Sequence, residues 1–243
     1  MVRLGTMPRA SKRRVARGIM DEARAVKCVF EQEGGIEGDF RLRKLRHLAG
    51  EERTMTVHRE NGCSFKVDVA TCYFSPRLST ERLRIADRAR ARESVLNRFA
   101  GVGPFSVVLA KKKKARVLSI ELNPAACALH EENDRLNKVQ QLVKVVNADA
   151  LEAPRLTRRR FDRVLMPHPS QSDRFLATAL RMAKKGGTVH YYRHVLGADE
   201  DEAEASLRKE LEPLLPAGAE YGVRRVREVG PRWVEMAADV TVP

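Results

Sequence analysis

Three features between residues 99 and 149 have the types and the order needed to hold a nucleoside. Phe99-Ala100-Gly101-Val102-Gly103-Pro104 supplies a glycine turn through which backbone can approach a ligand, because glycine takes positive φ without steric penalty. Glu121 closes the next β-prone run, where a carboxylate can accept from both hydroxyls of a ribose. Asp149 follows a third such run and is placed to meet an adenine edge. Singly, each is ordinary. Gly-x-Gly is more often a plain tight turn, Glu121 favours neither reading, and Asp149 alone is more often a cap or turn residue. The ordered triple is more specific than any member of it.

Such a triple works only at the carboxyl ends of parallel strands. From Ser94 onward the pattern alternates strand and helix, the mark of a parallel sheet covered on both faces. Residues 95–96, 116–120, 143–146, 163–166 and 188–192 read as strands, 124–136 and 175–183 as helices, and 223–226 with 233–240 as a closing hairpin. Ahead of them, residues 25–31 read as a short strand broken by Gly34-Gly35, followed by a basic segment with Arg41, Arg43, Lys44 and Arg46. Two alternating runs over residues 55–69 flank Asn61-Gly62, a type I′ hairpin signal. The chain therefore divides into a basic arm at 1–24, a small α+β domain at 25–78 and a larger α/β domain at 79–243.

A dinucleotide-binding dehydrogenase is the nearest rival, but its fingerprint needs a third glycine where this chain has Ser106. S-adenosylmethionine carries no phosphate and can dispense with that glycine. The net charge of +14 implies a polyanionic partner, with nucleic acid first in line. Residues 77–98 contribute seven arginines against Glu81, Asp87 and Glu93. Cys28, Cys63, Cys72 and Cys127 show no CxxC or zinc-finger spacing, so no structural metal is expected and a reducing compartment fits. No uncharged apolar stretch is long enough to cross a bilayer, so no membrane partner is expected, and nothing points to a protein partner. The first twenty residues hold six basic and no acidic side chains, read as an RNA-contacting arm in a cytoplasmic protein; a mitochondrial transit peptide is the alternative.

Six motifs carry a resemblance to a known family: Gly35-Ile36-Glu37-Gly38-Asp39-Phe40-Arg41, His47-Leu48-Ala49-Gly50-Glu51, the run from Tyr73 to Arg82, Phe99 to Phe105, Glu121-Leu122-Asn123-Pro124, and His190-Tyr191-Tyr192. In this order they resemble the archaeal and eukaryotic tRNA (guanine-37-N1)-methyltransferases, from about residue 25 to the end. The resemblance implies a class I methyltransferase fold, S-adenosylmethionine as donor, and a small preceding domain that helps hold the tRNA anticodon arm. It implies Phe99, Gly101, Gly103, Glu121, Asn123, Asp149 and Pro167 at the donor, with Glu81 as general base and Arg41 stabilising charge on the base being methylated. Guanine N1 carries a proton and is a poor nucleophile until it leaves, so such an acid and cation pair suits the chemistry. Read without the family, Glu81 is a helix-start residue beside Arg82, and Arg41 a phosphate contact.

The chain departs from the family at three places. Asn97-Arg98 stands where Asp-Met is usual, Pro167 where an Asn is common, and Val229-Gly230-Pro231 where a Tyr precedes the Pro. Pro167 offers no donor from side chain or backbone. Some archaeal relatives with Pro at that place resemble a subgroup that also methylates a wyosine precursor. Aminocarboxypropyl transfer in the wyosine pathway and a noncatalytic tRNA-binding role are the competing readings.

Overall fold

A computed structural model describes residues 1–170 and 172–243, and the side chains of these except 36 and 37, which belong to the first family motif. The chain forms two compact units: Met1–Val57 with Lys66–Phe74, and His58–Phe65 with Ser75–Pro243.

In the first unit, helix α1 (Arg9–Glu22) accompanies the antiparallel pair β1 (Cys28–Glu37) and β2 (Leu42–Gly50). Ala16, Ile19 and Met20 recur at helical spacing and meet Val29, Leu48 and Ala49 in a small core. Residues 1–24 are therefore not a free basic arm. The helix packs on the sheet, Val2 exchanges backbone hydrogen bonds with Phe30 and Gln32 (both 2.9 Å), and Lys12 pairs with Glu31 at 2.5 Å. Gly34-Gly35 does not end β1 either. The strand runs on through a register shift between Glu33 and Ile36, because a bulge absorbs the glycines without breaking the pairing. Strands β3 (Met55–Glu60) and β4 (Cys63–Asp68) form the expected hairpin, with Asn61 (φ 49°) and Gly62 (φ 71°) in its turn.

The second unit holds a seven-stranded sheet. Its strands are β5 (Ser94–Asn97), β6 (Arg116–Glu121), β7 (Val143–Asn147), β8 (Phe161–Met166), β9 (Ala183–Leu196), β10 (Glu220–Gly230) and β11 (Trp233–Thr241), in spatial order β10-β11-β9-β8-β5-β6-β7. Strands β5 to β9 pair in parallel, and β11 and β10 add the antiparallel hairpin at the edge. The chain runs from β5 outward to β7 and then returns to place β8 beside β5. That reversal is where such sheets open a crevice at their carboxyl ends. The helices are α2 (Ser79–Arg88), α3 (Pro104–Lys113), α4 (Pro124–Leu136), α5 (Ala153–Leu156), α6 (Ser172–Met182) and α7 (Glu200–Leu211). Residues 105–110 of α3 are all buried, which explains why they are apolar apart from Ser106. The lysines that follow sit in its last turn, where cations complement the helix dipole. The main core joins Leu96, Ile120, Val164, Met166, Val189 and Tyr191 to Phe175, Leu176 and Leu207.

Candidate active site

At the carboxyl ends of β5 and β6 the predicted glycine turn and acid meet. Gly103 is left-handed (φ 91°), and a Cβ there would lie 2.2 Å from Cδ2 of buried His130, so no other residue fits. The Glu121 carboxylate accepts from the Gly101 N–H (2.7 Å) on one oxygen and from the Asn123 N–H (2.9 Å) on the other. Burial pushes this carboxyl above the ordinary range, against those backbone bonds. Each oxygen keeps acceptor capacity for a ribose hydroxyl. Asn123 caps α4, its side chain accepting from the Ala125 N–H at 3.0 Å. Asp149 caps the next turn through Leu151 N–H (2.8 Å) and retains a second oxygen. Phe99 lies against the rings of His168 and Phe175, both at 4.9 Å between centroids. Pro167 follows β8, and the His168 N–H closes a tight turn around it to the Met166 carbonyl at 2.7 Å.

The Asn97-Arg98 departure faces inward. Asn97 donates to Ser106 Oγ at 3.0 Å, and the buried Arg98 guanidinium donates to the carbonyls of Phe175 (2.8 Å) and Ala150 (2.7 Å). Arg98 thus ties the turn after Asp149 to α6, and burial without a contacting carboxylate lowers it to about 10. The arginine cluster at 77–98 is also less of a phosphate surface than its composition suggested. Arg82 is buried on Glu60 (2.5 and 2.6 Å), Arg84 is held by acids, and Arg98 is internal; Arg77, Arg88, Arg90 and Arg92 remain exposed.

Glu81 occupies the first turn of α2 and is buried. Its carboxylate accepts from Arg84 Nη2 (2.8 Å) and Nε (2.9 Å), from the hydroxyl of fully buried Tyr192 (2.7 Å), and from Arg224 Nη1. Arg84 is shared with Asp239 (2.6 and 3.1 Å), which in turn meets His190 Nδ1 at 2.5 Å. These partners hold Asp239 far below the usual carboxylate range and raise Arg84. Sequence reasoning gave Arg84, Tyr192, Arg224 and Asp239 no role. The only advance signal was Tyr192 in the His190-Tyr191-Tyr192 motif. Arg41 lies in the first unit, at the end of the turn between β1 and β2 with φ 55°, its N–H bonded to Gly38 O at 3.0 Å. Its guanidinium stands 4.6 Å from the Tyr73 ring centroid, with Arg43 at 5.2 Å from the same ring.

Among the described residues, no group of three His, Cys, Asp or Glu side chains is placed to hold a metal ion, and all four cysteines are free thiols. Among the described residues no helix is long and apolar enough to cross a membrane.

A family model of the TRM5/TYW2 methyltransferase domain matches residues 56–212, more than half of the chain. The chain belongs to the TRM5/TYW2 methyltransferase family. Its relatives include the tRNA (guanine(37)-N(1))-methyltransferase Trm5b of Pyrococcus abyssi, 39% identical over 231 residues, covering 94% of this chain and 68% of the relative. The tRNA(Phe) (4-demethylwyosine(37)-C(7)) aminocarboxypropyltransferase of Pyrococcus horikoshii is 37% identical over 184 residues, covering 76% of this chain and 64% of the relative. A solved structure described as the complex of aTrm5 and tRNALeu superposes with a TM-score of 0.86 at 32% identity, covering 98% of this chain and 68% of that one. The TRM5/TYW2 chain therefore spans about two thirds of the length of these proteins. Its larger unit has the Rossmann-like class I methyltransferase fold, and the family uses S-adenosylmethionine. Glu121, with acceptor capacity left on both oxygens beside a left-handed glycine turn, fits that donor.

Proposed function

We propose that this TRM5/TYW2 methyltransferase methylates N1 of guanosine 37 in tRNA. The observation that carries the reading is the ionic cluster around Glu81: a buried carboxylate, held in one orientation by Arg84 and Tyr192, in the motif position of a general base. When bound, S-adenosylmethionine supplies a methyl on sulfur that leaves with its bonding electrons remaining on sulfur. Glu81 takes the N1 proton, freeing the electron pair that forms the new N1–carbon bond. Glu121 would hold the ribose of the donor, and Phe99 and Asp149 its adenine. Arg98 ties Ala150, next to Asp149, to Phe175, which packs on Phe99. The net charge of +14 supports a polyanionic substrate, with the anticodon arm as the part bound.

Aminocarboxypropyl transfer is the second reading, supported by the Pyrococcus horikoshii relative. Ser75-Pro76-Arg77 and Glu81 favour the methyl branch. Incubating the protein with labelled donor and unmodified tRNA transcripts, then identifying the modified nucleoside by mass and position, separates the two. Calorimetric donor binding separates both from a noncatalytic RNA-binding role. An N1-methylguanosine product is expected; a product carrying the aminocarboxypropyl group would overturn the methyl reading.

A further inference from the structure

The base of the proposed reaction is fully occupied. A carboxylate offers about four acceptor sites. On Glu81, Arg84 Nη2 and Tyr192 take Oε1, while Arg84 Nε and Arg224 Nη1 take Oε2. A carboxylate in this state has nowhere to receive a proton from guanine N1, so one donor must leave before it can act.

The three residues differ sharply in how readily they can leave. Arg84 is bidentate to Glu81, doubly bonded to Asp239 on β11, and its side chain is only 16% exposed. Tyr192, on β9, is 1% exposed, so bulk solvent does not reach its bond. Among the described residues, Arg224 makes one hydrogen bond, through one nitrogen, and its side chain is 38% exposed. It extends from β10, the edge strand of the sheet. An ion pair with one half-exposed partner is the weakest of these links, because solvent or another anion can take the guanidinium. Its neighbour Arg227 has no such freedom, being engaged by Glu235 (2.6 Å) and Ser75 Oγ (2.9 Å).

We propose that Arg224 is a positioning residue that covers the base in the RNA-free protein and moves to an RNA phosphate on binding, opening Oε2 of Glu81 to the N1 proton. The swap balances charge: the guanidinium passes from one anion to another, while Glu81 remains oriented by Arg84 and Tyr192. Glu81 becomes accessible only when a polyanion is present to draw Arg224 away. The inference rests on the reading of Glu81 as base.

The test uses the full chain with Arg224→Met, which keeps the apolar stem, and Arg224→Lys, which keeps a cation. RNA binding measured against salt and single-turnover methylation of a tRNA transcript measured against enzyme concentration, with enzyme in excess, are the two readouts. Arg224→Met is expected to weaken RNA binding by about 3- to 10-fold and to reduce the salt slope by about 1, the signature of one lost phosphate contact. The concentration for half-maximal single-turnover rate rises in step with that weakening, while the rate at saturation falls far less, because Arg224 has already left Glu81 in the complex. Arg224→Lys restores the binding. If the rate at saturation changes and RNA affinity does not, Arg224 remains on Glu81 in the complex and the proposal is wrong. If neither changes, the pair has no part in the reaction. Glu81→Gln separates this failure from that of the underlying reading: wild-type rates in Glu81→Gln would remove Glu81 as base, whatever Arg224 does.

Discussion

Replacing Glu121 tests the donor site at its most connected residue. Its two oxygens accept separately from Gly101 N–H and Asn123 N–H, at 2.7 and 2.9 Å, so the carboxylate holds together the glycine turn and the start of α4. Glu121→Gln keeps the size but turns one acceptor into an NH2 that faces a backbone N–H. Losing one charge-assisted bond and leaving one buried donor unsatisfied costs about 1.5 to 3 kcal/mol. Where the donor requires the turn in this geometry, that amounts to roughly 10- to 150-fold in its Kd. Glu121→Ala loses both bonds and is expected to weaken donor binding further. Calorimetry with S-adenosylmethionine measures this directly, alongside tRNA affinity, which is expected to fall far less. Burial raises the Glu121 carboxyl above its ordinary 4.5, so in the wild type the ionised form needed by the ribose is lost as pH falls through that raised value. Donor affinity should therefore drop on acidification earlier than for an ordinary carboxylate, and the dependence should vanish in Glu121→Gln. Donor Kd values within about threefold of wild type in both variants would refute the assignment.

Two further outcomes follow from buried groups. Arg98→Met leaves the carbonyls of Phe175 and Ala150 without their donor, so thermal or denaturant unfolding should show a loss of about 2 to 5 kcal/mol; an unchanged or raised melting temperature would mean that relief of the buried cation outweighs both bonds. His130 is wholly buried and held down to about 3 from its ordinary 6.5, so the unfolded chain gains a proton below pH 6.5 that the native state refuses. Stability is lost across that window as pH falls, by about 1.4 kcal/mol per pH unit. Asp134, 3.6 Å away and pushed up to about 7 by burial, acts in the opposite direction in wild type and variant alike. The stability of His130→Leu relative to wild type should therefore grow as pH falls below 6.5; a pH-independent difference would show that His130 is protonated in the fold.

Parallel strands such as 116–120 and 143–146 were legible as short Val- and Ile-bearing runs bounded by polar or turn residues, and α4 because Pro124 and Asn123 mark its start; β9 was legible only in part, because Gly186-Gly187 lies inside it rather than before it. The N-terminal helix was not. Its residues 9–17 carry five cations and bury only Ala16, so the charge pattern spoke louder than the spacing of Ala16, Ile19 and Met20. The continuous β1 was hidden by Gly34-Gly35, whose usual meaning as a breaker gave way to strand pairing with β2. Among the candidate site residues, the left-handed turn at Gly103 and the strand-end place of Glu121 were readable because both are local features. The Glu81 cluster was not, since Arg224 and Asp239 are 143 and 158 residues further along the chain and meet Glu81 and Arg84 only through the order of the sheet. Arg98 looked like part of a phosphate-binding patch because sequence gives charge but not direction. Two carbonyls inside the fold account for it.

The claim that Glu81 removes the guanine N1 proton is tested most directly by single-turnover methylation of a tRNA transcript by Glu81→Gln. Gln keeps the shape and one acceptor for Tyr192 or Arg84 but lacks the basic lone pair. The rate is expected to fall by roughly 100-fold or more while donor and tRNA affinities change far less, the pattern for loss of a positioned general base. A variant that methylates at nearly the wild-type single-turnover rate would contradict the account and reduce Glu81 to the anchor of Arg84, Tyr192 and Arg224.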